Sequence, residues 1–299
     1  MPKQNAASTP DQIVFADMTQ AELDRQYDQS TLVPNVADYV GRWNAMAEGF
    51  RASGAIESHS YGPAPVERLD IYTTACNRPG VHMHIHGGAW RSLSRQTAGF
   101  AASGLVSLGQ PVAVVGFGLA PGTHITDMVV QVRRAFLWLR CHHGRVTVSG
   151  HSSGGHLSAC LLDKHWWTES GLAPSDFGAV LMASGLYDLA PVRLSKRNDY
   201  LALTSAEEDA LSPIRNLPDA LPPVAVVRGD GELREFARQA EEMAQALHGK
   251  RADTVVEVLA GQNHFDIYDQ FGEEGSPICA VLRHLAHLKN IDNNREMKK

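Results

Sequence analysis

The sequence predicts an α/β fold, a mainly parallel central sheet with helices on both faces and a small cap, and three observations carry that prediction. From Gly80 onward, short Val-rich runs alternate with helical stretches. The runs are almost continuously apolar, the signature of strands covered on both faces. Between them, apolar residues recur at helical spacing, with glycine stop signals behind them.

Composition supports a packed chain. The 299 residues are 43% hydrophobic and 20% charged, with 26 glycines and 15 prolines, which excludes a disordered chain, a collagen or a coiled coil. At this length roughly 75% of the unfolded surface can be buried, enough for one large core. The 27 basic and 33 acidic side chains leave a net charge of −6, with no basic run beyond Lys298-Lys299. Neither nucleic acid nor an anionic membrane is an expected partner. Cys76, Cys141, Cys160 and Cys279 are scattered without a C-x-x-C pair, as buried free thiols of a reducing compartment would be. The start, MPKQNAASTPDQ, lacks the apolar stretch of a signal peptide. The charge-free run from Gln96 to Thr126 holds six glycines and two prolines and is not a membrane span. The expectation is a soluble, cytoplasmic protein.

Taken in order, residues 1–18 read as a polar tail, followed by N-terminal helices over 19–52. Thr19 and Glu22 have capping-box spacing. Asn35 caps a helix with Val36, Val40, Trp43 and Phe50 on one face, ending at Ser53-Gly54. Residues 66–73, VERLDIYT, alternate apolar and charged and read as a half-buried strand. The strands that follow are VHMHI (81–85), PVAVVGF (111–117), RVTVSG (145–150), FGAVLMAS (177–184), PVAVVRG (223–229) and TVVEVLA (254–260). Met128, Val129, Val132, Phe136 and Leu139 form one helical stripe before Gly144. Leu233, Phe236, Ala240, Met243 and Leu247 form another before Gly249. Ser276-Pro277 opens a last helix. One domain over 19–290 results, with a cap insertion about 185–222 and a polar tail at 291–299.

The strongest chemical signal is Gly150-His151-Ser152-Ser153-Gly154, set between the strand RVTVS and the helical stretch HLSACLL. That strand–turn–helix context is the one a G-x-S-x-G elbow requires, with Ser152 exposed on a tight turn as nucleophile. Upstream, strand VHMHI runs into His86-Gly87-Gly88-Ala89-Trp90. Backbone N–H groups of Gly88 and Ala89, with that of Ser153, are candidates for an oxyanion hole, His86 bracing the loop beside Gly87. His82, His84 and His86 alternate on one strand face, a pattern that can bind metal, but no Asp or Cys cluster matches it. Two core histidines and a brace are expected, and no metal. His264, after the last strand, is the candidate general base. Its orienting acid should follow PVAVVRG, where Asp230 and Glu232 both stand; residue types alone leave the two open. With an imidazole base, kcat/KM should fall on the acid side near the ordinary histidine pKa of about 6.5.

Together these motifs resemble the α/β-hydrolase superfamily and, within it, the kynurenine formamidase (arylformamidase) family, itself akin to hormone-sensitive-lipase-type esterases. The likeness runs in order through LDRQYDQS (23–30), YGPAPVERLDIY (61–72), HGGAW (86–90), GHSSGGHLSA (150–159), SGLYDL (184–189), ALSPI (210–214), EFARQA (235–240) and NHFDIYD (263–269). The resemblance implies Ser152 as nucleophile, His264 as base and, anchored on EFARQA, Glu232 as acid where the family usually carries Asp. GFGLAP (116–121) is a second departure, since relatives tend to carry a tyrosine or an acid before the proline turn. It further implies a small-molecule substrate, no cofactor and hydrolysis of an N-formyl or related aryl amide. A carboxylesterase with the same machinery is the alternative; a binding-only role, as in proteins of this fold that have lost a triad member, is a third reading, against which Ser152 and His264 are both present. Trp90 and Tyr187 are candidate pocket walls, and a homodimer is a candidate assembly.

Overall fold

The computed structural model describes residues 12–54, 56–73 and 78–296, with side chains up to Leu288. The chain opens with a hairpin, β1 (Ile13–Phe15) and β2 (Met18–Thr19), then α1 (Gln20–Gln26) and α2 (Val36–Ser53). An antiparallel pair follows, β3 (Ile56–Ser60) and β4 (Arg68–Tyr72), then β5 (Val81–Ile85), the short helices α3 (Arg95–Ala98) and α4 (Phe100–Leu105), and β6 (Val112–Val115). After it come α5 (Ile125–His143), β7 (Val146–His151), α6 (Ser153–Ala159), α7 (Lys164–Ser170) and β8 (Phe177–Ala183). Three short helices, α8 (Ala190–Leu194), α9 (Asn198–Leu201) and α10 (Ser205–Ala210), occupy the stretch before β9 (Val224–Gly229). The chain closes through α11 (Arg234–His248), β10 (Thr254–Leu259), α12 (His264–Asp269) and α13 (Pro277–Glu296).

Eight strands form one sheet in the order β10-β9-β8-β7-β5-β6-β4-β3. Every neighbouring pair is parallel except β4 with β6 and β3 with β4. Side chains alternate between the faces of each strand, and both faces are apolar. Val180 and Met182 of β8, with Val224 and Val226 of β9, pack on one side against α5, α6 and α11. Leu181 and Ala183, with Ala225 and Val227, pack on the other against α2, α4, α12 and α13. Such double coverage explains the unbroken Val runs and why α4 and β6, inside the charge-free stretch, carry no charge.

Local chemistry sets the helix starts as read from the sequence. The Glu22 N–H donates to Thr19 Oγ1 while the Glu22 carboxylate accepts from the Thr19 N–H at 2.8 Å. The Ala37 N–H donates to Asn35 Oδ1, and the Cys279 N–H to Ser276 Oγ.

Five expectations change. Residues 13–19, placed within or beside the polar tail, form the hairpin, with Met18 buried and Asp17 paired to Arg234 at 2.7 Å. Residues 1–11 lie outside the described residues. The C-terminal helix runs to Glu296, past the expected start of the tail at 291. Strand β4 is buried on both faces, because Leu69 and Ile71 pack into one core cluster and Tyr72 into the other, while Asp70 is matched by Ser58, Arg51 and Arg95. Strand β3 itself, IESHS, is polar in keeping with a sheet edge and carries no apolar alternation to announce it. Cys160 and Cys279 are buried and free as expected, but Cys141, near the end of α5, is exposed; Cys76 lies outside the described residues. Among the described residues no helix is long and apolar enough to cross a membrane.

Candidate active site

Ser152 stands between β7 and α6 with φ 56° and ψ −123°, a left-handed backbone that L residues rarely adopt. Its neighbours show why the turn needs glycine. A Cβ on Gly150 would strike the Gly154 carbonyl, and one on Gly154 would strike the Ile85 and His86 carbonyls of the adjoining strand. Such strained positions cost on the order of 1–3 kcal/mol and concentrate at active sites.

His264 begins α12, directly after the loop that leaves β10, and is buried. Its Nδ1–H donates to Glu232 Oε1 at 2.5 Å. The other carboxylate oxygen, Oε2, accepts from Ser184 Oγ at 3.0 Å and from the Gly229 N–H at 3.2 Å. Glu232 therefore stands in a fixed cradle, and its extra methylene is absorbed by packing. Asp230 sits elsewhere: its Oδ1 accepts from the Gly261 N–H at 2.7 Å, tying two loops together at the surface. Of the two acids left open by residue type, Glu232 is the one on the imidazole.

Burial pushes His264 well down from the ordinary imidazole value, and the nearby Arg197 charge adds to the effect. Burial also pushes the Glu232 carboxyl up, against the opposing pull of His151, Ser184 and the Gly229 N–H. Desolvation outweighs the attraction within the pair. The imidazole is neutral near pH 7, the state a general base requires, so its own titration lies below the expected pH of about 6.5.

These contacts set an expected result for the two acids. Glu232→Gln should lower kcat by roughly 10²–10⁴, because an amide offers no charge and disturbs the imidazole tautomer. Asp230→Asn, which keeps an acceptor for Gly261, should cost less than about tenfold. Steady-state rates of the two variants check this, and the reverse order would give the role to Asp230.

The loop after β5 holds three consecutive residues at positive φ, Gly88 (101°), Ala89 (53°) and Trp90 (60°). The Gly88 carbonyl accepts from the N–H groups of both Arg91 and Ser92. The Trp90 N–H donates to Ser153 Oγ at 3.1 Å, so the residue after Ser152 anchors this loop. Tyr200 of α9 donates to the Ala89 carbonyl at 3.1 Å. No backbone bond within the described residues takes up the Gly88 or Ala89 N–H. His86 donates from Nδ1 to the Gly87 carbonyl and stacks on Phe117 at 4.4 Å between centroids.

Ser152, His264, Gly88 and Ala89 open on one cavity of about 750 Å³. Trp90 and Tyr187, expected as its walls, do not line it. Trp90 is fully buried behind the loop, where its indole N–H donates to His156, which in turn donates to the Leu211 carbonyl of the cap. Tyr187 is fully buried, its hydroxyl donating to the Met182 carbonyl. The aromatic walls are Tyr27 and Trp43 from the N-terminal segment, Tyr200 from the cap, and Phe265 and Tyr268 from α12. Periodicity could mark these rings as buried but not say which face would end at a cavity.

Sequence reasoning also missed His151 and Ser184. His151 donates from Nε2 to the His264 carbonyl at 2.9 Å and stacks on Tyr268, steadying the start of α12 that carries His264. Ser184 sits in SGLYDL, a motif noted without a role for its serine. His82 and His84 do not line the cavity; they share Ser149 Oγ, at 2.7 and 3.0 Å, and His84 stacks behind the cavity residue Tyr268. Among the described residues no three His, Cys, Asp or Glu side chains are grouped to hold a metal ion.

Comparison with known proteins agrees with this geometry. Residues 82–266 match a family described as having the α/β hydrolase fold. The kynurenine formamidase of Danio rerio is 33% identical, covering 90% of this chain and 97% of its own length. That of Salmo salar is 34% identical, covering 86% and 92%. Among solved structures, a protein from Silicibacter sp. TM1040, proposed there to be a thioesterase, superposes with a TM-score of 0.78 at 28% identity, covering 87% of this chain and 98% of its own. With likeness over nearly the full length of both chains, this protein belongs to the α/β-hydrolase family and, within it, to the kynurenine formamidases.

Proposed function

We propose that this protein is a serine hydrolase that cleaves small N-formyl or related amides of aryl amines through an acyl-enzyme. The observation that carries the reading is the Glu232–His264 pair beside Ser152 on one cavity, in a chain a third identical to kynurenine formamidases. Ser152 Oγ attacks the formyl carbonyl while His264, through the nitrogen not engaged by Glu232, takes its proton. The N–H groups of Gly88, Ala89 and Ser153 stabilise the oxyanion that forms, in a site whose burial strengthens them. As the C–N bond breaks, His264 returns the proton to the departing amine nitrogen. Water, activated by the same imidazole, then attacks the formyl ester, releasing formate and free Ser152. No step calls for a cofactor or metal, and the protein acts on a small molecule in the cytoplasm.

A second reading is hydrolysis of small aryl or alkyl esters, supported by the proposed thioesterase among the solved relatives. Ester and amide cleavage use the same groups, so the substrate panel decides. N-formyl aryl amines, N-formylkynurenine among them, should give kcat/KM at least about tenfold above matched aryl esters after correction for intrinsic reactivity. Esters turned over with no formamide cleaved would leave the esterase reading.

A further inference from the structure

A second cavity, of about 460 Å³, lies at the other end of the sheet, where β5, β7 and β8 begin and α13 passes over them. Thr147, the second residue of β7, lines it, whereas Ser152 follows the last residue of the same strand. At about 3.3 Å per residue the two sites stand roughly 17 Å apart along that strand.

Three arginines line this cavity, Arg78, Arg145 and Arg283, and no Asp or Glu does. Among the described residues none of the three is in an ion pair. Arg145 donates from Nε to the Ser175 carbonyl at 3.3 Å, and Arg283 from Nη2 to Ser107 Oγ at 3.4 Å, both long bonds to neutral acceptors. Asp176, next to Ser175, is already engaged by Arg140 at 2.7 Å. In a chain of net charge −6, three unmatched guanidinium groups around one cavity are a local excess of positive charge.

His82 also lines the cavity, is 1% exposed, and has no partner for Nδ1. The hydrogen bonds behind it assign its tautomer. The Tyr268 hydroxyl has His84 Nε2, at 3.5 Å, as its partner among the described residues and donates to it. His84 then carries its proton on Nδ1 and donates to Ser149 Oγ at 3.0 Å, and Ser149 donates to His82 Nε2 at 2.7 Å. Burial pushes both imidazoles down from their ordinary value and keeps them neutral. The single proton of His82 therefore sits on Nδ1, a donor without an acceptor in the protein. Buried donors are normally satisfied, and an orphan beside a cationic cavity calls for an acceptor brought from outside.

We propose that this cavity is a second ligand site, separate from the catalytic one, and that it binds a phosphate group. Guanidinium forks match the oxygens of a phosphate dianion, and three of them more than balance its charge. The His82 Nδ1–H is the donor left for an oxygen at the deep end. Leu108, Leu282 and Ala286 give the cavity an apolar side, and its volume lies in the range of small-molecule sites. A small organic phosphate fits both halves, its phosphate on the arginines and its body on the leucines; inorganic phosphate shares the first half alone.

Calorimetric titration of the full chain with phenyl phosphate, inorganic phosphate and phenol tests this. Phenyl phosphate should bind with a Kd below about 1 mM, and phenol at least about tenfold more weakly. Inorganic phosphate binding more weakly than phenyl phosphate supports an organic phosphate as the ligand, and equal affinity supports free phosphate. Arg145 and Arg283 are exposed, so their replacement is not expected to disturb the fold. Arg145→Gln and Arg283→Gln should each weaken phenyl phosphate binding about tenfold. Arg91→Gln, on the catalytic cavity, should change it by less than about twofold. In protein carrying 15N-labelled histidine, the His82 Nδ1 signal should be that of a protonated nitrogen and should shift as phenyl phosphate is added. Affinity unmoved by the Arg145 and Arg283 variants, or lost in Arg91→Gln, would put the phosphate elsewhere and overturn the proposal. So would phenol binding as tightly as phenyl phosphate, a His82 signal that the ligand leaves in place, or no binding of either phosphate.

Discussion

Ser152→Ala should remove nearly all turnover, lowering kcat by roughly 10³–10⁶, and His264→Ala should do the same. On the proposed mechanism the groups act as one unit, with Glu232 orienting the imidazole that serves the Ser152 hydroxyl, so the double variant should be little worse than either single. Neither change is expected to unfold the protein. The methyl group of alanine fits the space of the serine side chain, and the strained turn is held by Gly150 and Gly154, both untouched. Thermal melting within a few degrees of wild type, measured beside the rates, separates lost chemistry from a lost fold. A Ser152→Ala protein keeping a tenth of the activity would sink the serine mechanism. Loss of wild-type activity on chelation would instead turn attention to His82, His84 and His86.

Acid should unfold this protein steeply, and the cause is its buried histidines. His82, His84, His86, His151, His156 and His264 all lie in the interior, and burial pushes every one of them down from the ordinary imidazole value. His82 falls to about 3, and His86 and His156 to about 4. In the unfolded chain each titrates near 6.5, so below that pH the unfolded state binds more protons and stability falls with pH. Each such proton changes the unfolding free energy by about 1.4 kcal/mol per pH unit. Glu232, raised by burial, works in the opposite sense, because the folded state keeps its proton to higher pH. Six histidines against one carboxyl leave a net slope of about 7 kcal/mol per pH unit once the unfolded histidines are fully charged. A total stability of about 5–15 kcal/mol is then exhausted within one to two pH units below 6.5. Circular dichroism against pH should show a cooperative loss of structure with a midpoint between about 4.5 and 5.5. The acid limb of kcat/KM should coincide with that transition rather than report the titration of His264. A fold intact at pH 4 would show that the interior tolerates these charges and would refute the prediction.

The difference between what was legible in the sequence and what was not follows from the range of the interactions involved. Periodicity, capping and turn chemistry act over a few residues, so the Val-rich strands, the helix starts at Thr19, Asn35 and Ser276, and the strand–Ser–helix turn at Ser152 could be read from local sequence. So could the two acids after β9, as a pair of candidates. The family resemblance pointed to Glu232, but residue chemistry alone could not, because the Glu232–His264 contact spans 32 residues and depends on how deep each side chain sits beneath its loop. The edge strand β3 escaped notice because its polar residues leave no pattern, and the hairpin at residues 13–19 is too short to show one. The cavity was the least legible feature. Its walls come from the N-terminal segment, the cap and α12, segments far apart in the chain. Composition shows only that Trp90 and Tyr187 are large and apolar, not that both end up behind the cavity. Local sequence determined the elements and the candidate nucleophile; which acid meets His264, and which side chains line the cavity, was decided by long-range packing, since only the assembled core sets the depth, desolvation and distance of groups remote along the chain.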